Sequence, residues 1–410
     1  MDGISVEIVL ILLCSLVIVS YLFSILSHYI KVPSVLLLLF AGMAIRAITD
    51  AYQMQISIPE KIIELLGIVG LIMIVLEAGL DLRMGKDKLK LIRASFLSAL
   101  VIFIISSVLI TLILYLWLHE PVKKCLVYAI PLSIMSSSIV IPSIHQLAKA
   151  KKEFLVYEAS FSDILGILVF NYFIAGNPVS WKNAAGFGLT LTVSIALSVL
   201  LSFLLFLILA KTRMQIKFFL IFSLLILIYA GGKMLHLPSL LIILVFGLLI
   251  NNWDKIQFRK LQRFFPQNQV TELRYLLHSI TAESSFLIRT FFFVLFGFSI
   301  SLSFLKENEV ILVGSMIVIA LLIVRLLYLR FFLHTNVIPE VFFIPRGLIT
   351  IVLFYKIPPA LRLDNFNDGI LFFIILVTGI IMAAGMIFYK KKPEQIIEEG
   401  QFSDQGDNSP

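Results

Sequence analysis

Between Tyr157 and Phe170 the chain reads Tyr-Glu-Ala-Ser-Phe-Ser-Asp-Ile-Leu-Gly-Ile-Leu-Val-Phe. Two carboxylates, Glu158 and Asp163, thus stand in a run otherwise apolar enough to cross a lipid bilayer. Charge in hydrocarbon is costly and marks an ion path or a buried pair. Asp163 falls well inside the span. A low dielectric disfavours an uncompensated negative charge, so such a carboxylate calls for a proton or a monovalent cation, and the two compete for the same oxygens. Ser162 offers a neutral oxygen beside it. The plainer reading of Asp163 is a fixed buried ion pair. Glu158 lies five residues earlier, about 140° around a helix, and so faces elsewhere. Its expected role is an ion pair with an arginine from another helix, either Arg325 in Ile-Val-Arg-Leu-Leu or Arg346 in Pro-Arg-Gly.

Other polar groups occur inside apolar runs. Ser136, Ser137 and Ser138 precede Pro142, which suggests a broken helix whose unpaired backbone lines a site. Packing by small residues is the alternative. Arg289, which opens the Phe291–Gly297 run, needs a partner, and Asp163 or Glu283 could serve. Glu77 is a further intramembrane acid, suited equally to packing, a funnel or ion binding. His145 and His236 fall near loops and read as structural. Cys14 and Cys125 have no disulfide or metal-ligand spacing. His-Glu-x-x-His, Gly-x-Ser-x-Gly, Walker A and Gly-x-Gly-x-x-Gly patterns are lacking, which points away from an enzyme, from ATP-driven transport and from any cofactor.

The elements that must position these residues are membrane helices. Of 410 residues 60% are hydrophobic and 14% charged, and mean hydropathy is +1.03. A soluble chain has about 25% charged residues. Apolar runs predict thirteen helices, at 5–27, 33–49, 61–80, 94–118, 125–147, 155–176, 184–210, 217–235, 237–252, 283–304, 310–333, 340–358 and 368–390. The first reads as a retained helix, not a cleaved signal. Most basic residues follow the third, fifth, seventh and ninth helices or lie in the tail (Arg83 to Arg93, Lys149 to Lys152, Lys211 to Lys217, Lys255 to Arg274, Lys390 to Lys392). The positive-inside rule then sets the N-terminus outside and the C-terminus in the cytoplasm. The net charge of +8 is scattered over short loops facing anionic lipid, a pattern unlike that of a nucleic-acid binder. Residues 251–284 read as a cytoplasmic amphipathic linker and 393–410 as a disordered cytoplasmic tail.

The chain also repeats itself. Pro33-Ser34 through Gly42 parallels Pro238-Ser239 through Gly247, and Val75 to Leu80 echoes Val294 to Ser299. The copies fall in helices two and nine, and three and ten, which cross in opposite senses. Inverted repeats are the architecture of many secondary transporters. The expected fold is an all-α polytopic membrane protein with inverted-topology repeats and discontinuous crossing helices.

These residues resemble the monovalent cation:proton antiporter superfamily across essentially the whole 1–390 membrane region. Glu158 through Asp163 resembles the exchanger pattern Glu-Ser-x-x-Asn-Asp. The resemblance implies that Asp163 binds the ion, that Glu158 is structural and pairs with Arg325, and that Pro345-Arg346-Gly347 is a second arginine element. Ser162 stands where the family has Asn or Asp. Ser136 to Ser138 stand where it often has Thr-Asp-Pro, and look more like the potassium-efflux branch. It further implies a homodimer, crossing broken helices at positions five and twelve, and a core domain (about 61–176 and 283–390) moving against scaffold helices (about 5–49 and 184–252).

The expectation is exchange of Na+, with Li+ or K+ as other candidates, for H+ across a bacterial-type inner membrane. Asp163, Ser162, Ser136, Ser137 and Ser138 would hold the ion, and Glu158, Arg325, Arg346, Arg289 and Glu77 would serve as structural pairs or gates. The alternatives are a potassium-type efflux transporter, an organic-anion symporter of similar fold, and a non-transporting sensor or scaffold.

Overall fold

The computed structural model describes residues 6–52, 60–82, 85, 88–144, 147–174, 192, 196–204, 218–234, 239–255, 267–300, 307–333 and 338–389. In order come α1 (Val6–Ile30), α2 (Ser34–Ala51), α3 (Glu60–Asp81), α4 (Leu89–Leu118), α5 (Val122–Ser133), α6 (Ser137–Ser143) and α7 (Lys149–Ile174). Then follow α8 (196–204), α9 (Phe218–Met234), α10 (Ser239–Asn251), α11 (Gln267–Ser299), α12 (Asn308–Tyr328), α13 (Leu348–Tyr355) and α14 (Gly369–Phe388). Six described spans are long and apolar enough to cross a membrane, among them Leu89–Leu118, Asn308–Phe332 and Gly369–Phe388. His145, His236 and the tail 393–410 lie outside the described residues.

Three boundaries differ from the sequence reading. The tenth span begins at Gln267, not 283. Val270, Leu273, Leu277 and Thr281 recur at helical spacing and are all buried, so the second half of the expected linker is one helix with the span that follows. The fifth helix breaks at residues 134–136, not at Pro142. Pro131 lacks the N–H that would continue the ladder, the chain turns extended at Ile134, and Pro142 sits inside the short α6. The twelfth span is helical only over α13. Residues 340–342 form a single 3-10 turn, and the chain then reaches Gly347 without regular structure.

The inverted repeat is visible in the packing. If α2 corresponds to α10 and α3 to α11, then α2 against α11 should mirror α10 against α3. Both are among the most extensive helix contacts in the structure. Each closes on glycine. Gly42 meets the backbone of α11 around Gly297, and Gly79 meets Gly247. Backbones approach this closely only where no Cβ intervenes. At one end of the bundle Lys88 pairs with Glu153 (2.8 Å) and Lys151 with Glu340 (2.7 Å). At the other, Trp117 donates to Glu309 (2.7 Å) and Lys124 pairs with Glu120 and Asp364.

A Cβ on Gly247 would stand 3.0 Å from the Gly79 Cα and 3.0 Å from the Leu76 carbonyl, whereas a Cβ on Gly231 in α9 would meet nothing within 4 Å. Gly247→Val is therefore expected to lose about 1–3 kcal/mol of stability. Gly231→Ala should be neutral or slightly stabilising. Thermal unfolding of the detergent-purified variants, compared side by side, measures the difference.

Candidate functional site

The two interruptions meet in the middle of the bundle. The Ser136 N–H donates to the Pro345 carbonyl (3.0 Å), joining the break after α5 to the break before α13. A Cβ on Gly347 would fall 2.7 Å from Ser136 Oγ, so glycine is what lets the two segments touch. A helix end leaves carbonyls without partners, and Arg346 takes those of α5. Its Nε donates to the Leu132 carbonyl (2.6 Å) and its Nη2 to the Ser133 carbonyl (3.4 Å), while Nη1 donates to the Ile344 carbonyl (2.8 Å). Thr378 of α14 accepts from the Arg346 N–H (3.2 Å). The cation also suits the negative end of the α5 dipole.

The third element is α7, which lays Ser162 and Asp163 along the extended residues. Met135 N–H donates to Ser162 Oγ (2.9 Å) and Ser137 N–H to Asp163 Oδ2 (3.3 Å). The Ser137 amide belongs to the first turn of α6, where the helix dipole favours a negative charge. Asp163 Oδ1 is buried and makes no hydrogen bond among the described residues, and neither does the hydroxyl of Ser137 or of Thr350. Ser136 and Ser138 bond to one another through their hydroxyls (2.8 Å). A buried carboxylate oxygen without a donor is a place for a proton or for a small cation.

Around this centre the acids and arginines sort into separate pairs. Arg325 grips Glu158 with both terminal nitrogens (2.9 and 3.2 Å) and donates Nε to the Glu340 carbonyl (2.6 Å). Ser98 of α4 donates to the same carboxylate (2.5 Å). Of the two candidate partners for Glu158, the structure chooses Arg325; Arg346 has the carbonyls instead. Arg289 pairs with Glu77 (3.8 Å), not with Asp163 or Glu283. Glu283 accepts instead from Tyr21 (2.7 Å). Arg289 also donates to the Ser138 carbonyl (3.4 Å), which is the group Pro142 leaves unpaired four residues on.

Of the residues singled out in the sequence, Asp163, Ser162 and Ser137 converge, with Ser136 and Ser138 on the flanks. Glu158 with Arg325, and Glu77 with Arg289, stand as two neighbouring pairs. Ser98 and Thr378 were not anticipated. Ser95 and Ser98 are buried hydroxyls three residues apart, and so share one face of the otherwise apolar α4; that spacing was the available signal.

Comparison with known proteins gives a consistent result. The family described as sodium/hydrogen exchanger, transmembrane, matches residues 14–388. Among solved structures, the sodium proton antiporter MjNhaP1 from Methanocaldococcus jannaschii at pH 8 superposes with a TM-score of 0.69 at 18% identity, over 93% of this chain and 100% of that one. An electron-microscopy structure of MjNhaP1 gives 0.65 at 18% identity over 95% and 100%. No curated protein sequence matches the chain.

Removing one partner of a buried pair leaves the other charge uncompensated, at a cost of about 3–5 kcal/mol. Arg325→Met should therefore be strongly destabilised. The double variant Glu158→Gln/Arg325→Met should regain much of the loss, because no charge is stranded. Thermal midpoints of the two singles and the double, as a cycle, test this; a double variant worse than both singles would contradict it.

Proposed function

The chain belongs to the sodium/hydrogen exchanger family, a family of cation/proton antiporters, and from that membership we propose that Asp163 is the group at which cation and proton compete. One observation carries this reading. Among the described residues every arginine around the site is engaged elsewhere: Arg325 by Glu158, Arg289 by Glu77, Arg346 by backbone carbonyls. Of the carboxylates Glu77, Glu158 and Asp163, Asp163 is the one whose buried oxygen has no hydrogen-bond partner among the described residues. A carboxylate locked in an ion pair cannot exchange its cation, whereas this one can.

In the cycle we propose, the carboxylate enters one side-facing state carrying a proton and returns carrying a cation. The uncharged form of the site and the cation-bound form are both neutral at Asp163, so both can cross the low dielectric, while the empty anion is held back. The hydroxyls of Ser136, Ser137, Ser138 and Ser162, beside the free oxygen of Asp163, are the oxygens that would replace the hydration shell of a hard cation. With Ser162 beside Asp163 in place of a second acid, one cation trades for one proton. Na+ is the first candidate, with Li+ and K+ behind it. Movement of the core helices against α1, α2, α8, α9 and α10 would switch access, in a homodimer with its N-terminus outside and its basic end in the cytoplasm. The glycine crossings of α2 with α11 and of α3 with α10 lie between those two sets of helices and support that division.

Purified protein in liposomes with an imposed pH gradient tests the proposal. Addition of Na+, Li+ or K+ in turn should collapse the gradient for at least one cation, and Asp163→Asn should respond like empty vesicles. Competition at one carboxylate makes the apparent KM for the cation rise as pH falls, by roughly tenfold per pH unit on the acidic side. A KM independent of pH, or full exchange by Asp163→Asn, would refute the mechanism.

A further inference from the structure

The halves of the bundle on either side of the crossing differ in character. Toward the basic end, α3 and α11 face one another through polar groups. Asp81 meets His278 (2.9 Å), Glu77 meets Arg289, and the buried hydroxyls of Thr281 and Ser285 lie along the same stripe of α11. Toward the end that carries Lys124 and Asp364 the path is apolar and tight. Gly166, Ile167 and Phe170 stand three, four and seven residues beyond Asp163 and so share its face of α7. A Cβ on Gly166 would fall 2.1 Å from Ile134 Cδ1, and Ile167 and Phe170 are buried. The structure holds Asp163 closed toward the Lys124 end.

At that same end a side-chain bond joins two helices that have no extensive packing with one another. Lys356 directly follows α13 and donates Nζ to the hydroxyl of Tyr229 in α9. α13 packs against α3, α5 and α7, whereas α9 packs against α3, α10 and α11. Tyr229 is buried and Lys356 half-buried. The Tyr128 ring lies against Phe354, and its hydroxyl accepts the Leu363 N–H (3.2 Å), which fixes this corner next to the Lys124 pair with Asp364. The bond is suited to opening. An ammonium on a neutral phenol strands no second charge when it breaks, unlike the pair of Glu158 with Arg325. The C-terminus of α13 favours the ammonium whether or not the phenol is in place.

We propose that Lys356 and Tyr229 form a latch that keeps the Lys124 end closed, and that this bond opens each time Asp163 turns to face that end. The proposal rests on the division above into core helices, which include α13, and scaffold helices, which include α9. Neither residue touches the ion. The latch acts on the balance between the two access states, and weakening it shifts the population toward the state open at the Lys124 end.

Access is read without transport by a thiol introduced with Ile167→Cys, in the full-length protein freed of its own thiols by Cys14→Ser and Cys125→Ser. Sealed vesicles of known orientation receive a membrane-impermeant maleimide on one face at a time. With the latch intact, labelling from the Lys124 face should be slow. Tyr229→Phe keeps the ring and removes the hydroxyl, and Lys356→Met keeps the length and removes the charge. Each should speed labelling from that face roughly tenfold, the worth of one hydrogen bond to a charged group. The double variant should go no further than either single, since both remove the same bond. Unchanged labelling in both singles would overturn the proposal. Because a substitution on α7 can disturb its packing, a second arm leaves α7 intact. Tyr229→Cys/Lys356→Cys, joined by a cleavable bifunctional thiol reagent that spans the two side chains replaced, should stop exchange and recover it on cleavage. Undiminished exchange in the cross-linked protein would equally overturn the latch. The two readings fail separately: full exchange by Asp163→Asn refutes the ion site whatever the labelling shows, and unchanged labelling refutes the latch whatever Asp163→Asn does.

Discussion

Two helices that stop halfway through an apolar bundle create a debt of hydrogen bonds, and the centre of this protein is organised around meeting it. No water is at hand in hydrocarbon to satisfy a broken ladder, so the freed groups must find partners within the chain. The partners found are unequal in kind. Arg346 receives the carbonyl end of α5, the Pro345 carbonyl receives the Ser136 amide, and Arg289 receives the carbonyl orphaned by Pro142. The amide end of α6 is met by a carboxylate, Asp163. Positive side chains thus sit on carbonyls and the negative one on an amide, which is the assignment dipole electrostatics favours.

This division of labour separates a clamped acid from an unclamped one. The Glu158 with Arg325 pair is bidentate, buried and braced by Ser98 and by the Glu340 carbonyl, whose side chain is itself tied to Lys151. It joins α4, α7, α12 and the segment before α13 at fixed distances. Five residues along α7, Asp163 has no such clamp. The same helix therefore presents one acid that cannot change its state without disrupting four elements, and one that can. Burial alone does not distinguish them, since both are nearly inaccessible; what differs is whether a guanidinium is within reach.

Around the crossing, the glycine contacts of α2 with α11 and of α3 with α10 repeat one solution in two orientations. Close backbone approach gives dispersion contact without interlocking side chains.

The sequence by itself determined the class of molecule, the number and order of the spans, and the fact that Glu158 and Asp163 face different ways, because hydropathy and the helical period are local properties of consecutive residues. Its serines beside Pro142 also pointed to an interruption of the fifth span, although the chain in fact turns extended after Pro131; the interruption of the twelfth was implied only by the family resemblance. It did not show that α11 begins sixteen residues early, because polar residues mask the continuity of a helix that leaves the apolar layer. Which arginine meets which acid was decided only by the tertiary structure. Glu158 and Arg325 are 167 residues apart, and Arg289 and Ser138 are 151 apart. Local periodicity gives each side chain an angle on its own helix but says nothing about the rotation and depth at which two distant helices pack. For that reason Arg346 could be read in the sequence as a partner for Glu158, and only the fold shows it bonded to backbone, with Asp163 left without a counter-charge.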